Sequence, residues 1–504
     1  MTASLKRLLL IAITLVVLPL MGLSLWSSLT EPQITDRLQL YQTDLLLHVN
    51  ELNDSGPDGE NLLAARKLVL GDEPLKTALE QYQDVYKSAE TSFKKFQSQP
   101  DQTKAQQNLR KQQVLLDQLD LRIGLLQVAQ NNPTAAQANW AKISQTATPA
   151  STEAIQANVL ANLWREPPQI LPEAEVTLQS LQGWFRYVGL SRLYQLQQRT
   201  DALTLLQAQE QEIAQQTLVK LALVSTVPAV GAVIGVALIL GLGLRRLLRA
   251  STEKSETDWA WQVPWTWETI AWVLIVGFLF AGQIAIPGVL SLGNGLLNQA
   301  GLNITLGGVA GRTKAIYTLG YYLLMAGTGL FVLYRAVKPY SPLPEDWFRF
   351  PGKRNWVLWG LGGYFVALPL MFLVSFLNQQ FWQGQGGSNP LLQIVLEEGD
   401  PVALLIFFLT AAVAAPFFEE LLFRGFLLPS LTRYLPVWGA IGLSGLIFAL
   451  AHLSLSEVLP LATLGVVLGF VYTRSRGLLA SMLLHSLWNS VTMVGLFILG
   501  SGTT

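Results

Sequence analysis

Cysteine is absent from all 504 residues. This excludes structural disulfides, thiolate nucleophiles and cysteine-ligated zinc or iron–sulfur sites. Histidine is almost as scarce, with His48, His452 and His485 the three in the chain, so any histidine-based site has few members to choose from. Charge is thin as well, at 13% of residues against roughly 25% in soluble domains. The 34 basic residues match the 34 acidic ones, and without a basic excess nothing supports nucleic-acid binding. What is abundant is apolar side chains, 51% of the total, which over this length indicates a membrane protein.

The first apolar run, Leu8 to Trp26, follows Lys6 and Arg7 and is long enough to cross a hydrocarbon core of about 30 Å. The exit, Leu-Ser-Leu-Trp-Ser-Ser, has no small-x-small cleavage signal, so residues 1–29 read as an uncleaved anchor. From 30 to 216 the chain becomes Gln-, Leu- and Ala-rich, with apolar residues at helical spacing such as Leu109, Leu116, Leu119, Ile123 and Leu126. We expect an extramembrane helical domain there, able to bind protein partners. Turn signals at Gly71-Asp72-Glu73-Pro74, Asn131-Asn132-Pro133 and Arg199-Thr200-Asp201 suggest helical hairpins of tetratricopeptide type, with coiled coil as the alternative.

Apolar segments follow at about 219–244, 267–288, 315–334, 355–377, 402–432, 437–454, 457–473 and 477–499. With the anchor they make nine. The predicted class is therefore all-α, a polytopic membrane helix bundle of about nine spans, with 217–400 preceding a core at 401–504. Basic residues favour cytoplasmic loops. Lys6, Arg7, Arg245, Arg246, Arg249, Arg335, Lys338, Arg349, Lys353, Arg354, Arg433, Arg474 and Arg476 put the N-terminus in the cytoplasm and both the helical domain and the C-terminus on the opposite side. Arg312 and Lys314 alone dissent. Trp259, Trp261, Trp265 and Trp267 read as an interfacial aromatic belt.

Between Asn355 and Thr504 lie six acidic residues, and two of them, Glu419 and Glu420, sit together inside Ala-Ala-Pro-Phe-Phe-Glu-Glu-Leu-Leu-Phe-Arg-Gly. Charged groups at bilayer depth are costly, so they are paired or functional. Glu420 and Arg424 are i and i+4 and can pair on one helix face, whereas Glu419 is rotated about 100° away. His452 and His485 are expected to interrupt apolar helices, and His485 shares a helix face with Asn489. With a bend at Leu435-Pro436, Glu419 lies 16 residues before it and His452 16 after it. Antiparallel helices then set the carboxylate level with the imidazole, about 24 Å from the bend and near the outer end of the span.

This set can do two kinds of chemistry. A buried carboxylate beside a histidine can act as general base on water, with an imidazole and an amide opposite donating to an oxyanion. Alternatively Glu419, His452 and His485 can ligate a divalent metal such as zinc, with one position open for water. No His-Glu-x-x-His motif is present.

Glu419, Glu420 and Arg424 form a Glu-Glu-x-x-x-Arg motif, Phe448 and His452 a Phe-x-x-x-His motif, and His485 and Asn489 a His-x-x-x-Asn motif. In that order, over about 100 residues from Val402 to Leu499, they resemble the CAAX-protease and bacteriocin-processing intramembrane proteases, which include the type II CAAX prenyl endopeptidases. The resemblance implies an intramembrane endopeptidase acting on membrane-protein or lipid-anchored substrates in the bilayer. It also implies that Glu419 and His452 activate water while His485 and Asn489 stabilise the oxyanion, with Glu420, Arg424 and Phe448 supporting. Both metal-dependent and glutamate-dependent descriptions exist for the family. The alternatives are a non-enzymatic scaffold or chaperone on the same fold and an ion-coupled transporter. His48 reads as surface or core filler, and Asn303-Ile-Thr305, Asn389-Pro390 and Gly384 to Gly387 as ordinary loop features.

Overall fold

The computed structural model describes residues 3–29, 34–53, 66–67, 70–97, 103–147, 151–248, 260–299, 311–351, 354–382 and 386–500. Asn303-Ile304-Thr305, Arg249, Lys353, Trp259 and Gly384 lie outside them. Every regular element among the described residues is a helix, without a strand, and the chain divides into two compact units. One holds 1–31, 227–382 and 386–500; the other is chiefly Pro32–Thr226.

Helix α1 (Ala3–Ser28) belongs to the first unit. The second contains α2 (Ile34–Asn50), α3 (Pro74–Gln97), α4 (Thr103–Ala129), α5 (Pro133–Thr146), α6 (Thr152–Leu163), α7 (Ala174–Gln179) and α8 (Gly183–Leu196). Local chemistry explains the turns between them. Asn131 takes φ +60°, Asn132 caps α5 by accepting from Ala135 N–H, and Pro133 follows where its missing N–H costs nothing. Gly71, at φ +71°, precedes α3. The apolar stripe on α4 turns inward, burying Leu116, Leu119, Ile123 and Leu126 in one core with Trp140, Leu160, Trp184 and Phe185. His48 is a core residue with a polar partner: it is 4% exposed, and its Nδ1 donates to Glu210 Oε1 at 2.5 Å.

Helix α9 (Thr200–Leu248) contains the boundary between the units. The first unit continues with α10, which starts as Trp267–Ala271, winds as a π-helix over Trp272–Ala285 and closes as Ile286–Gln299. Then come α11 (Arg312–Val337), α12 (Trp356–Trp382) and the short α13 (Pro390–Glu397). Helix α14 spans Pro401–Leu431, with π-helical stretches at Thr410–Ala414 and Glu420–Leu427. The last three are α15 (Val437–Leu450), α16 (Leu455–Ser475) and α17 (Leu478–Gly500).

Among the described residues eight helices are long and apolar enough to cross a membrane, and α15 is a ninth, shorter apolar helix of 14 residues. At about 1.5 Å per residue it covers only about 21 Å. Large apolar side chains such as Leu15, Leu292 and Phe376 stay exposed, as lipid-facing positions should. The chain is a multi-pass helical membrane protein.

Several loop and interface readings change. Trp261 and Trp265 are buried, not part of a belt: Trp265 Nε1 donates to Ser430 Oγ at 2.9 Å, and Trp261 stacks on Tyr472. Among the three described, only Trp267 is exposed. An indole whose N–H finds a buried partner, as that of Trp265 does, packs inward as readily as it sits at an interface. Asn389 is a helix cap, accepting from Leu391 N–H at the start of α13. Gly386 and Gly387 offer their carbonyls to Ser456, docking that loop on the start of α16. Arg312, the dissenting basic residue, pairs with Asp400 at 2.5 Å.

Helices α15 and α16 meet through glycines. A Cβ built on Gly465 would stand 2.7 Å from the Gly445 Cα, closer than any side chain tolerates. Small residues allow such backbone approach between membrane helices.

Candidate active site

The polar cluster gathers on α14, α15 and α17. Glu420 and Arg424 are fully buried, and Arg424 Nη1 donates to Glu420 Oε1 at 2.7 Å. Arg424 Nη2 reaches the Gly465 carbonyl at 3.1 Å, and its guanidinium lies 4.6 Å from the centre of the Phe448 ring. His485, 3% exposed, donates from Nδ1 to the same Glu420 oxygen at 2.9 Å. One buried carboxylate thus ties α14 to α17.

Glu419 sits differently. Its side chain is 15% exposed, Tyr322 on α11 donates its hydroxyl to Oε1 at 3.2 Å, and His485 Nε2 stands 3.8 Å from Oε2. The two adjacent glutamates therefore face one imidazole from opposite nitrogens, one sealed and the other open. Tyr322 carried no signal in the sequence beyond a polar tip inside an apolar span.

His452 lies two residues past the end of α15, in the turn Ala451–His452, and does not interrupt a helix. Its Nδ1 donates to the Phe448 carbonyl at 2.9 Å, one of the terminal carbonyls that a helix leaves unpaired. Phe448 is 0% exposed and stands edge-on between the imidazoles, 5.0 Å from His452 and 5.8 Å from His485. Asn489 donates from Nδ2 to the Ala411 carbonyl at 2.7 Å. That carbonyl belongs to a π-helical stretch, where widened winding loosens the backbone ladder, and such stretches recur at functional sites. In the second π stretch Ser444 Oγ likewise donates to the Phe423 carbonyl.

Carbonyl and carboxylate oxygens only accept, so Nδ1 of His452 and of His485 each carries a proton. In the neutral ring this leaves a lone pair on Nε2. That tautomer suits a metal ligand, but the full donor set does not assemble. Among the described residues no group of three His, Asp or Glu side chains could hold a metal ion, and Glu419, His452 and His485 are no exception.

Residues 401–491 match the family model described as Type II CAAX prenyl endopeptidase Rce1-like. Glu419, Glu420, Arg424, Phe448, His452, His485 and Asn489 all fall inside the match. The protein described as "Putative membrane peptidase YdiL" of Bacillus subtilis (strain 168) is 23% identical over 138 residues, covering 27% of this chain and 55% of that protein. The chain thus spans about half the length of the curated relative it matches. No solved structure matches. The segment 401–491 of this membrane protein is therefore similar to the type II CAAX prenyl endopeptidase Rce1-like proteins.

Proposed function

We propose that the chain is an intramembrane endopeptidase that hydrolyses peptide bonds of membrane-associated substrates, with Glu419 activating the water. The observation that supports this most is the contrast between neighbouring carboxylates. Glu420 is sealed and spent on Arg424 and His485, whereas Glu419 keeps 15% of its side-chain surface exposed and lies between a tyrosine hydroxyl and an imidazole.

Glu419 takes a proton from water as the oxygen attacks the scissile carbonyl, and the proton then passes to the leaving amine. The lone pair on His452 Nε2 orients the same water. His485 Nε2 is placed beside Glu419 to share the transferred proton, and Glu420 keeps that ring in the required tautomer. The oxyanion falls to Asn489, whose Nδ2 retains a second N–H beyond the one given to Ala411. The basic residues put the N-terminus in the cytoplasm and the Pro32–Thr226 unit across the membrane, where it recruits substrates.

Purified full-length protein in detergent, incubated with a library of membrane-segment peptides, tests this reading. Wild type should cleave. Tyr322→Phe should cut the rate about tenfold, the worth of one hydrogen bond to a charged group, while the protein stays folded. Because no three-ligand cluster forms, a chelator should leave the rate unchanged. Loss on chelation, restored by zinc, would instead make ligands of Glu419, His452 and His485.

A further inference from the structure

A cavity of about 500 Å³ lies away from the polar cluster, where the N-terminal ends of α1 and α10 meet the C-terminal end of α11. Its walls carry three cations, Lys6, Arg7 and Arg335, and one carboxylate, Glu268. Arg7 pairs with Glu268 at 2.8 Å, which blunts the single negative charge. Lys6 has its ammonium 5.9 Å from the centre of the Trp272 ring. Two positive charges thus remain in excess around the cavity. The hydroxyls of Thr266 and Thr269 add donors, and Thr266 makes no side-chain capping bond to α10.

The surroundings specify the rest of the ligand. Immediately beyond the basic pair, Leu8 and Leu9 are exposed on α1, and Phe331 and Tyr334 are exposed on α11. A cationic pocket with hydroxyl donors, opening onto apolar helix faces at the ends of membrane spans, matches a group that is anionic at one end and hydrocarbon at the other. We propose that this cavity binds the phosphodiester headgroup of an anionic phospholipid, whose acyl chains lie along α1 and α11. The lipid bridges the first helix of the chain to α10 and α11. The proposal depends on the membrane-spanning fold and is independent of the peptidase reading.

Native mass spectrometry of the full-length protein, titrated in detergent with phosphatidylglycerol, phosphatidylcholine or soluble glycerol phosphate, tests it. Phosphatidylglycerol should bind at least about fivefold more tightly than phosphatidylcholine. Lys6→Gln and Arg335→Gln should each weaken it about fivefold, the equivalent of about 1 kcal/mol per basic side chain. Lys338→Gln should change it less than about twofold, because Lys338 lies over Tyr334 without lining the cavity. If Arg335→Gln lowers the thermal midpoint, Lys6→Gln carries the comparison. Equal binding of the two lipids overturns the proposal, as does equal loss in Lys338→Gln and Arg335→Gln. Binding of glycerol phosphate as strong as that of phosphatidylglycerol would replace the lipid with a soluble phosphate.

Discussion

Glu419→Gln should abolish peptide cleavage, with a fall of about 10²–10⁴-fold, the span general-base catalysis supplies, while the thermal midpoint stays close to that of wild type. Glutamine keeps the shape and still accepts the Tyr322 hydroxyl bond, but it cannot take a proton from water. Stability should survive because the lost carboxylate is partly exposed and makes one hydrogen bond. His485 keeps its own bond to Glu420. Cleavage measured on purified protein, beside a detergent thermal scan of the same sample, checks both halves of this expectation.

Arg424→Ala should do the reverse, lowering stability by about 3–5 kcal/mol. The guanidinium is 0% exposed and neutralises a carboxylate that is also 0% exposed. Removing it strands Glu420 in a low-dielectric interior beside a histidine that only partly compensates. It also deprives the Gly465 carbonyl of its donor where α15 and α16 approach most closely. The readout is the thermal or denaturant midpoint in detergent. A midpoint within about 0.5 kcal/mol of wild type, the usual range for an inconsequential substitution, would show that the pair is not needed to hold α14.

The pairing of Glu420 with Arg424 was legible because four residues on one helix fix both partners, whatever surrounds them. The relation of Glu419 to the histidines was legible only in part. Counting from the bend gives depth along a helix but says nothing of rotation about its axis. The π-helical stretches at Thr410–Ala414 and Glu420–Leu427 alter that rotation without leaving a mark in composition. Counting set Glu419 level with His452 but did not bring out that His485 Nε2 stands 3.8 Å from Glu419, or that His452 Nδ1 bonds the Phe448 carbonyl. Tyr322 could not be found by spacing, since 97 residues separate it from Glu419. The tryptophans before α10 show the same limit. Their position suits an interface, but the Ser430 hydroxyl that draws Trp265 inside lies 165 residues away. The helical class and the run of apolar spans needed only local pattern, and they were readable throughout.

The most direct measurement is the cleavage rate of one membrane-peptide substrate by full-length protein reconstituted in vesicles, comparing wild type, Glu419→Gln and Glu420→Gln, with folded fraction determined for each. The account predicts that Glu419→Gln is folded and inactive, while Glu420→Gln loses folded protein, because its neutral amide leaves Arg424 without a counter-charge. Wild-type cleavage by folded Glu419→Gln would contradict it.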